Sequence, residues 1–354
     1  MTRIGMMTFL RNDNYGSILQ AWALQQTLLG LGFDAVHIDY APSKQEKLRN
    51  LLCSGNSPKL IWEGMRKKSA TGKMRGGFDK FRTSQLRTTA PCRDRAALTC
   101  AAENFDVLLC GSDQIWSPVW LNPAYFLNFT DKPKVAYAPS LGVKQLPGAA
   151  KRRKIARMVQ GYSALSVREE EGAALLRQMA GVEAAVLPDP VLLLPRERWL
   201  SLMDATQGQQ PYILCYFIGD APDYWHTVRR IAVETSYPVR VIPRTEGARH
   251  AAYPLEEDVP PARWLSLIGG AARVVTDSFH GAAFSALLNR SCTIIRRYRE
   301  DDPEGKNSRI DQLLRLLEAD SLESPDWAAI NARLSAQAAA ARSWLTAAIN
   351  QAAP

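Results

Sequence analysis

The stretch AARVVTDSFHGAAFSALL, residues 271–288, decides how the chain is read. Arg273–Thr276 is a short run without apolar–polar alternation, the pattern of a strand covered on both faces in a parallel sheet. A polar turn follows, and a helical pattern begins at once over His280–Leu288. Ser278 stands where a helix N-cap is expected, and the positive end of the helix attracts anions. His280 then falls in the first turn, where an imidazole can donate or accept a proton near neutrality. A single histidine is more often structural, but His37, His226 and His250 have no comparable setting in this chain.

Outward from this stretch the same strand–turn–helix order repeats. Strands are expected at Ile4–Phe9, Ala35–Asp39, Val107–Cys110, Val135–Ala138, Ala164–Val167 and Ala185–Leu187. A second series follows at Tyr212–Ile218, Val239–Ile242, Arg273–Thr276 and Thr293–Ile295. Helices are expected at Ser17–Leu29, in parts of 45–85, and at Ala149–Gly161, Glu169–Met179, Tyr224–Glu234 and Pro260–Ile268. In the first of these Gln25 interrupts an otherwise apolar stripe. The alternation argues for an α/β chain of βαβ units, folded as two facing Rossmann-like domains. At 354 residues the chain also exceeds what one core usually fills. The expected division is 1–195, then 196–320 with the anion site, then a helical tail over 321–354. Its first break lies near Leu187–Pro190 or Thr206–Pro211.

Open parallel sheets bind ligands outside the carboxyl ends of their strands, so the loops there carry function. Asn14, Tyr15 and Gly16 follow the first strand and open a helix, a place for a sugar hydroxyl or an anion; Asn14 or Ser17 could equally serve only as an N-cap. The GxGxxG fingerprint of dinucleotide binding is missing there. Gly111-Ser112-Asp113 follows the third strand and sets a hydroxyl and a carboxylate at its end. Asp113 could orient a substrate hydroxyl or take its proton; its plainer role is a cap or an Asx turn. Arg168 closes another strand. Its fork suits a carboxylate or phosphate, though spacing alone favours a salt bridge to Glu169, Glu171 or Asp189. Arg296, Arg297, Arg299 and Arg309 lie beyond the last strand as phosphate or carboxylate holders, with a solvated basic loop as the competing reading.

Composition narrows the classes. No run is long and apolar enough to span a bilayer, and no secretory signal is read at the start, so a cytoplasmic location is expected. The six cysteines have no CxxC spacing, so neither a metal site nor a disulfide framework is expected, and Cys110 and Cys215 lie in strand-like runs as buried thiols. Charge is concentrated: residues 44–95 hold fourteen Lys/Arg against four Asp/Glu, and the rest of the chain is nearly neutral. Such a segment suits a peripheral membrane contact, a polyanionic substrate or plain solvation; no nucleic-acid motif accompanies it.

Taken in order, NYGSILQAWALQ, CGSDQIWSP, YAPSLG, SVREEEG, LPDPVLLL, TDSFHGAAFSALL and KNSRIDQLL resemble the polysaccharide pyruvyl transferase family over residues 3 to 317. The resemblance implies a glycosyltransferase-B-like fold with an interdomain site. It also implies phosphoenolpyruvate as donor, a sugar or lipid-linked oligosaccharide diol as acceptor, a cyclic pyruvate ketal as product, and no metal or organic cofactor. It makes His280 the general acid and Arg168 the donor clamp; Asp113 is expected, from its place after the third strand, as a second catalytic group. Ser278 and backbone near Gly281 would help hold the phosphate, and Asn14, Tyr15, Gly16 and Ser112 the acceptor. One departure stands out: the family's Arg-Leu-His triplet is Ser278-Phe279-His280 here, which removes one positive charge. Arg296 or Arg309 is expected to supply it. A nucleotide-sugar glycosyltransferase and a non-catalytic binding protein are the competing functions.

Overall fold

The computed structural model describes residues 1–53, 72–204, 210–297 and 308–353. The middle of the basic segment, 54–71, lies outside the described residues, as do Arg299 and the rest of 298–307. The chain divides into two compact units. The first comprises Met1–Ala70, Arg82–Leu193 and Ala338–Pro354; the second comprises Thr71–Phe81 and Leu194–Gln337.

The first unit is a six-stranded sheet of order β2-β1-β3-β4-β5-β6. Its strands are β1 (Arg3–Met7), β2 (Asp34–His37), β3 (Val107–Cys110), β4 (Lys134–Ala136), β5 (Ala164–Val167) and β6 (Ala185–Val186), all paired parallel. The period of two divides its core. Ile4, Met6, Val107, Leu109 and Val135 face a cluster with Leu24 and Leu28 of α1 (Tyr15–Gly30). Met7, Leu108, Cys110, Ala136 and Val167 face the other cluster, which holds Leu98, Ile155, Val159, Leu175 and Leu176. These come from α4 (Arg95–Ala102), α5 (Ala149–Val159) and α6 (Glu170–Ala180); α2 (Lys44–Cys53) and α3 (Gly72–Gln85) precede them. Gly5 lets β1 and Phe105 close up, since a Cβ there would meet the phenyl ring at 2.6 Å. Gln25 is buried as the apolar stripe demands. Its amide nitrogen donates to the Ala35 and Arg87 carbonyls and its oxygen accepts from the Arg87 amide, so its polar group is satisfied.

The second unit is a four-stranded parallel sheet of order β10-β9-β7-β8, made of β7 (Ile213–Tyr216), β8 (Val239–Ile242), β9 (Arg273–Thr276) and β10 (Ser291–Ile294). Its helices are α7 (Arg196–Leu200), α8 (Asp223–Thr235), α9 (Glu246–Arg249), α10 (Pro261–Gly270), α11 (Phe279–Leu287) and α12 (Ser308–Leu317). Trp199, Trp264 and Phe284 pack edge to face with centroids 4.7 and 5.3 Å apart. The tail is not a separate piece. It is one helix, α13 (Trp327–Ala352), whose first part belongs to the second unit. Its last part lays Ala341, Leu345, Ala348, Ile349 and Ala352 on the β1–β3–β4 face of the first. The Thr71–Phe81 stretch likewise belongs to the second unit rather than to the 1–195 block. Cys110 and Cys215 are fully buried, and burial pushes the Cys110 thiol up to about 12.

Candidate functional site

Each sheet reverses its strand order once, and there the loops at the carboxyl ends part to leave a binding crevice. In the first unit the reversal lies between β1 and β3, because β2 and β3 flank β1 on opposite sides. The loop after β1 opens α1, with Asn14 as N-cap accepting from the Ser17 amide at 3.2 Å. The Ser17 hydroxyl donates to Asp113 Oδ2 and accepts from Asn12 at 3.0 Å. Asp113 Oδ1 accepts from the Gln114 amide at 2.8 Å, so this carboxylate ties the two loops of the reversal together. It does so at φ 71° and ψ 180°, a backbone region that is almost exclusively glycine's. Tyr15 and Gly16 are buried in the first turn of α1. Ser112 is buried as well and donates to Asp189 at 3.3 Å, so its hydroxyl is turned inward.

Arg168, at the end of β5, is 3% exposed. Its Nη1 donates to Asp189 and its Nε lies 3.8 Å from Glu169 Oε2. Burial works against its charge, but Asp189, Glu169 and Asp113 together hold the guanidinium more firmly protonated than usual. Glu169 Oε1 in turn accepts from the Ser140 hydroxyl at 2.8 Å and from the Leu141 and Gly142 amides at 2.9 and 3.1 Å. The plainer reading of Arg168, a salt bridge, is the arrangement found.

In the second unit the reversal lies between β7 and β9. Asp277, just past β9, accepts from the Ile218 and Gly219 amides at 2.7 Å each, from Tyr224 at 3.2 Å and from Arg297 Nε at 2.9 Å. Ser278 is the N-cap of α11, and its hydroxyl accepts the Gly281 amide at 3.3 Å. That amide, expected near the phosphate, is engaged by the cap. Gly281 is required instead by closeness: a Cβ would lie 2.5 Å from Thr276 Oγ1. His280 follows in the first turn, mostly buried, with its ring edge-to-face on Phe279 at 4.9 Å. Burial is the main cause that pushes the Tyr216 phenol beneath this edge up to about 12. Arg244 and Arg297 work against that shift, and Asp277 adds to it.

The arginines after β10 take different partners. Arg296, expected as a supplier of the missing charge, is exposed and pairs with Asp311 of α12 at 2.6 Å. Its neighbour Arg297 does reach the reversal, 22% exposed and forked onto Asp277 through its carboxylate and carbonyl oxygens. Both lie past the end of β10, and of the two it is Arg297 whose side chain is bonded to Asp277. Arg309 is half-buried in the first turn of α12. Arg297 and Tyr224 are the residues a sequence reading underweights.

This is a glycosyltransferase-B-like fold of two parallel α/β units. The chain is similar over its length to UDP-GlcNAc 2-epimerase from Neisseria meningitidis bound to UDP-GlcNAc, with 10% identity, 99% of each chain covered and TM-score 0.50. It is similar also to the S. aureus MnaA–UDP structure, with 11% identity, 93% and 94% covered and TM-score 0.53. A third likeness is the UDP-N-acetylglucosamine 2-epimerase of Rickettsia bellii, with 9% identity, 99% and 96% covered and TM-score 0.51. No curated protein matches the chain. Residues 14–297 match polysaccharide pyruvyl transferase, and the chain belongs to that family. It is therefore a transferase of polysaccharide synthesis. Among the described residues no helix is long and apolar enough to cross a membrane.

Proposed function

We propose that the protein moves the enolpyruvyl group of phosphoenolpyruvate onto two hydroxyls of a sugar in a surface-glycan precursor, giving a cyclic ketal and phosphate. The observation that carries this reading is His280 in the first turn of α11, at the same strand-order reversal where Asp277 holds Arg297. The donor's phosphate and carboxylate would meet Arg297 and the positive end of α11. A protonated His280 would give its proton to the enol methylene carbon, leaving an oxocarbenium-like centre at C2. One sugar hydroxyl adds there, the C–O bond to phosphate breaks, and the second hydroxyl closes the ring. Of the two hydroxyl protons released, one restores His280 and the other leaves with phosphate. The scheme calls on no metal or organic cofactor.

Asp113 is assigned to orienting an acceptor hydroxyl, which gives a purpose to its glycine-like backbone. Arg168 is assigned to holding the loops around it; to clamp the donor it would have to exchange Asp189 for the ligand. Calorimetric titration of phosphoenolpyruvate tests the donor assignment. Arg297→Ala should weaken binding at least about tenfold, as loss of a charge-assisted pair does. His280→Ala should keep binding and remove turnover. Absence of binding to the wild-type protein at millimolar donor, with or without added sugar acceptor, would overturn the reading.

A further inference from the structure

We propose that the first unit docks on an anionic lipid bilayer through α2, Trp120 and α5. This inference stands on surface residues alone and does not depend on the pyruvyl chemistry. On α2 the buried edge runs through Glu46 and Asn50, and Asn50 donates to Tyr40 at 2.7 Å. The opposite edge carries Leu48 and Leu52, one turn apart and 57% and 72% exposed. Lys47 and Arg49 flank Leu48 on its two sides, and Lys44 lies one turn before it, all exposed. Two exposed leucines with a cation on either side of the first fit a helix lying in a membrane interface.

The second element is Trp120, 51% exposed on the segment after β3. The Tyr40 ring, which Asn50 of α2 bonds, also meets Tyr125 edge to face with centroids 6.0 Å apart, so α2 and the segment after β3 are neighbours. On its other flank Lys151 of α5 donates to the Pro118 carbonyl at 2.8 Å. That helix, AAKRRKIARMV, has five cations and no acid, with Ile155 and Val159 turned inward and Arg152, Arg153 and Arg157 exposed. Two cationic helices thus bracket an exposed indole. Tryptophan favours the headgroup level, and each cation near an anionic leaflet adds to the attraction. A nucleic acid would use the cations but leave the leucines without a partner. The surface lies partly outside the 44–95 segment marked by charge, since Trp120 and α5 come later in the chain.

The test is co-sedimentation with vesicles of phosphatidylcholine, with and without about one third phosphatidylglycerol. Binding is expected only to the anionic vesicles and should fall with salt. Leu48→Ser with Leu52→Ser should lower the partition about tenfold. Arg152→Glu with Arg153→Glu should lower it on the order of 30-fold or more, and Trp120→Ala gives a check at a third point. All are surface changes, and circular dichroism must show each variant folded. Absence of binding to anionic vesicles overturns the proposal. So does binding that the leucine pair leaves unchanged while a single-stranded oligonucleotide competes for it, which would mark simple adhesion to polyanions.

Discussion

At the first strand-order reversal Asp113 joins the loops after β1 and β3; at the second Asp277 joins those after β7 and β9. The device is shared: a carboxylate past one strand takes donors from the loop past its neighbour. The arginines differ. Arg168 is sealed among Asp189, Glu169 and Asp113, whereas Arg297 shares Asp277 with two backbone amides and stays partly exposed. A sealed guanidinium is bound to its partners by the cost of leaving them bare. An open one can trade a partner for an incoming anion at little cost. The first reversal is thus built to hold geometry and the second to exchange charge.

The largest effect that could break this contrast is Arg168→Ala. It leaves buried carboxylates uncompensated and should cost about 3–5 kcal/mol in urea unfolding. A loss of only about 1–2 kcal/mol would put Arg168 in the same class as Arg297. Next comes acid. Burial lowers His37 from 6.5 to about 4, with the Ala21 carbonyl and Asp39 only partly opposing it. Above pH 6.5 the ring is neutral whether the chain is folded or not. Between 6.5 and about 4 the unfolded chain takes up a proton that the folded one refuses, so stability falls over that window by roughly 3 kcal/mol in all. Peptide-resolved hydrogen exchange should show the first unit loosening before the second, and His37→Gln should flatten the slope.

Asp113→Gly sharpens the comparison at smaller scale. Relief of about 1–3 kcal/mol of backbone strain offsets the lost bonds to Ser17 and Gln114, so the melting temperature should barely move. Turnover should nonetheless drop, on the order of 100-fold if Asp113 serves the acceptor. A stable and fully active Asp113→Gly enzyme would make this carboxylate a turn device only. The smallest effect is expected for Arg297→Ala, a loss of about 1–2 kcal/mol in stability, because the Ile218 and Gly219 amides and Tyr224 still hold the buried Asp277, with its loss felt in donor binding.

Much of this was legible in the residues. Strands buried on both faces leave runs such as Val107–Cys110 and Arg273–Thr276 that no surface element would carry. The capping of α11 by Ser278 followed from local chemistry, as did the alternative of a cap at Asn14. What depended on distant partners was not legible. Gln25 looked like a flaw in α1 because Arg87, sixty-two residues on, supplies its hydrogen bonds. The pairing of Arg168 with Asp189 was among the partners its spacing offered, whereas that of Arg296 with Asp311 was not, because the fold alone brings those two together. The Ala-rich tail gave its helix away but not its division, since small residues fit whatever face they meet.

That division reaches back to the ribosome. The face formed by Ile4, Met6, Val107, Leu109 and Val135, packed in part by Leu24 and Leu28 of α1, receives the rest of its cover from Ala341 onward, after all of the second unit has been made. At the usual pace of synthesis the interval from Leu193 to Ile349 lasts on the order of ten seconds. Through it the nascent chain carries a finished strand order with one side still greasy, a natural customer for a chaperone. The N-terminal half is written first and completed last.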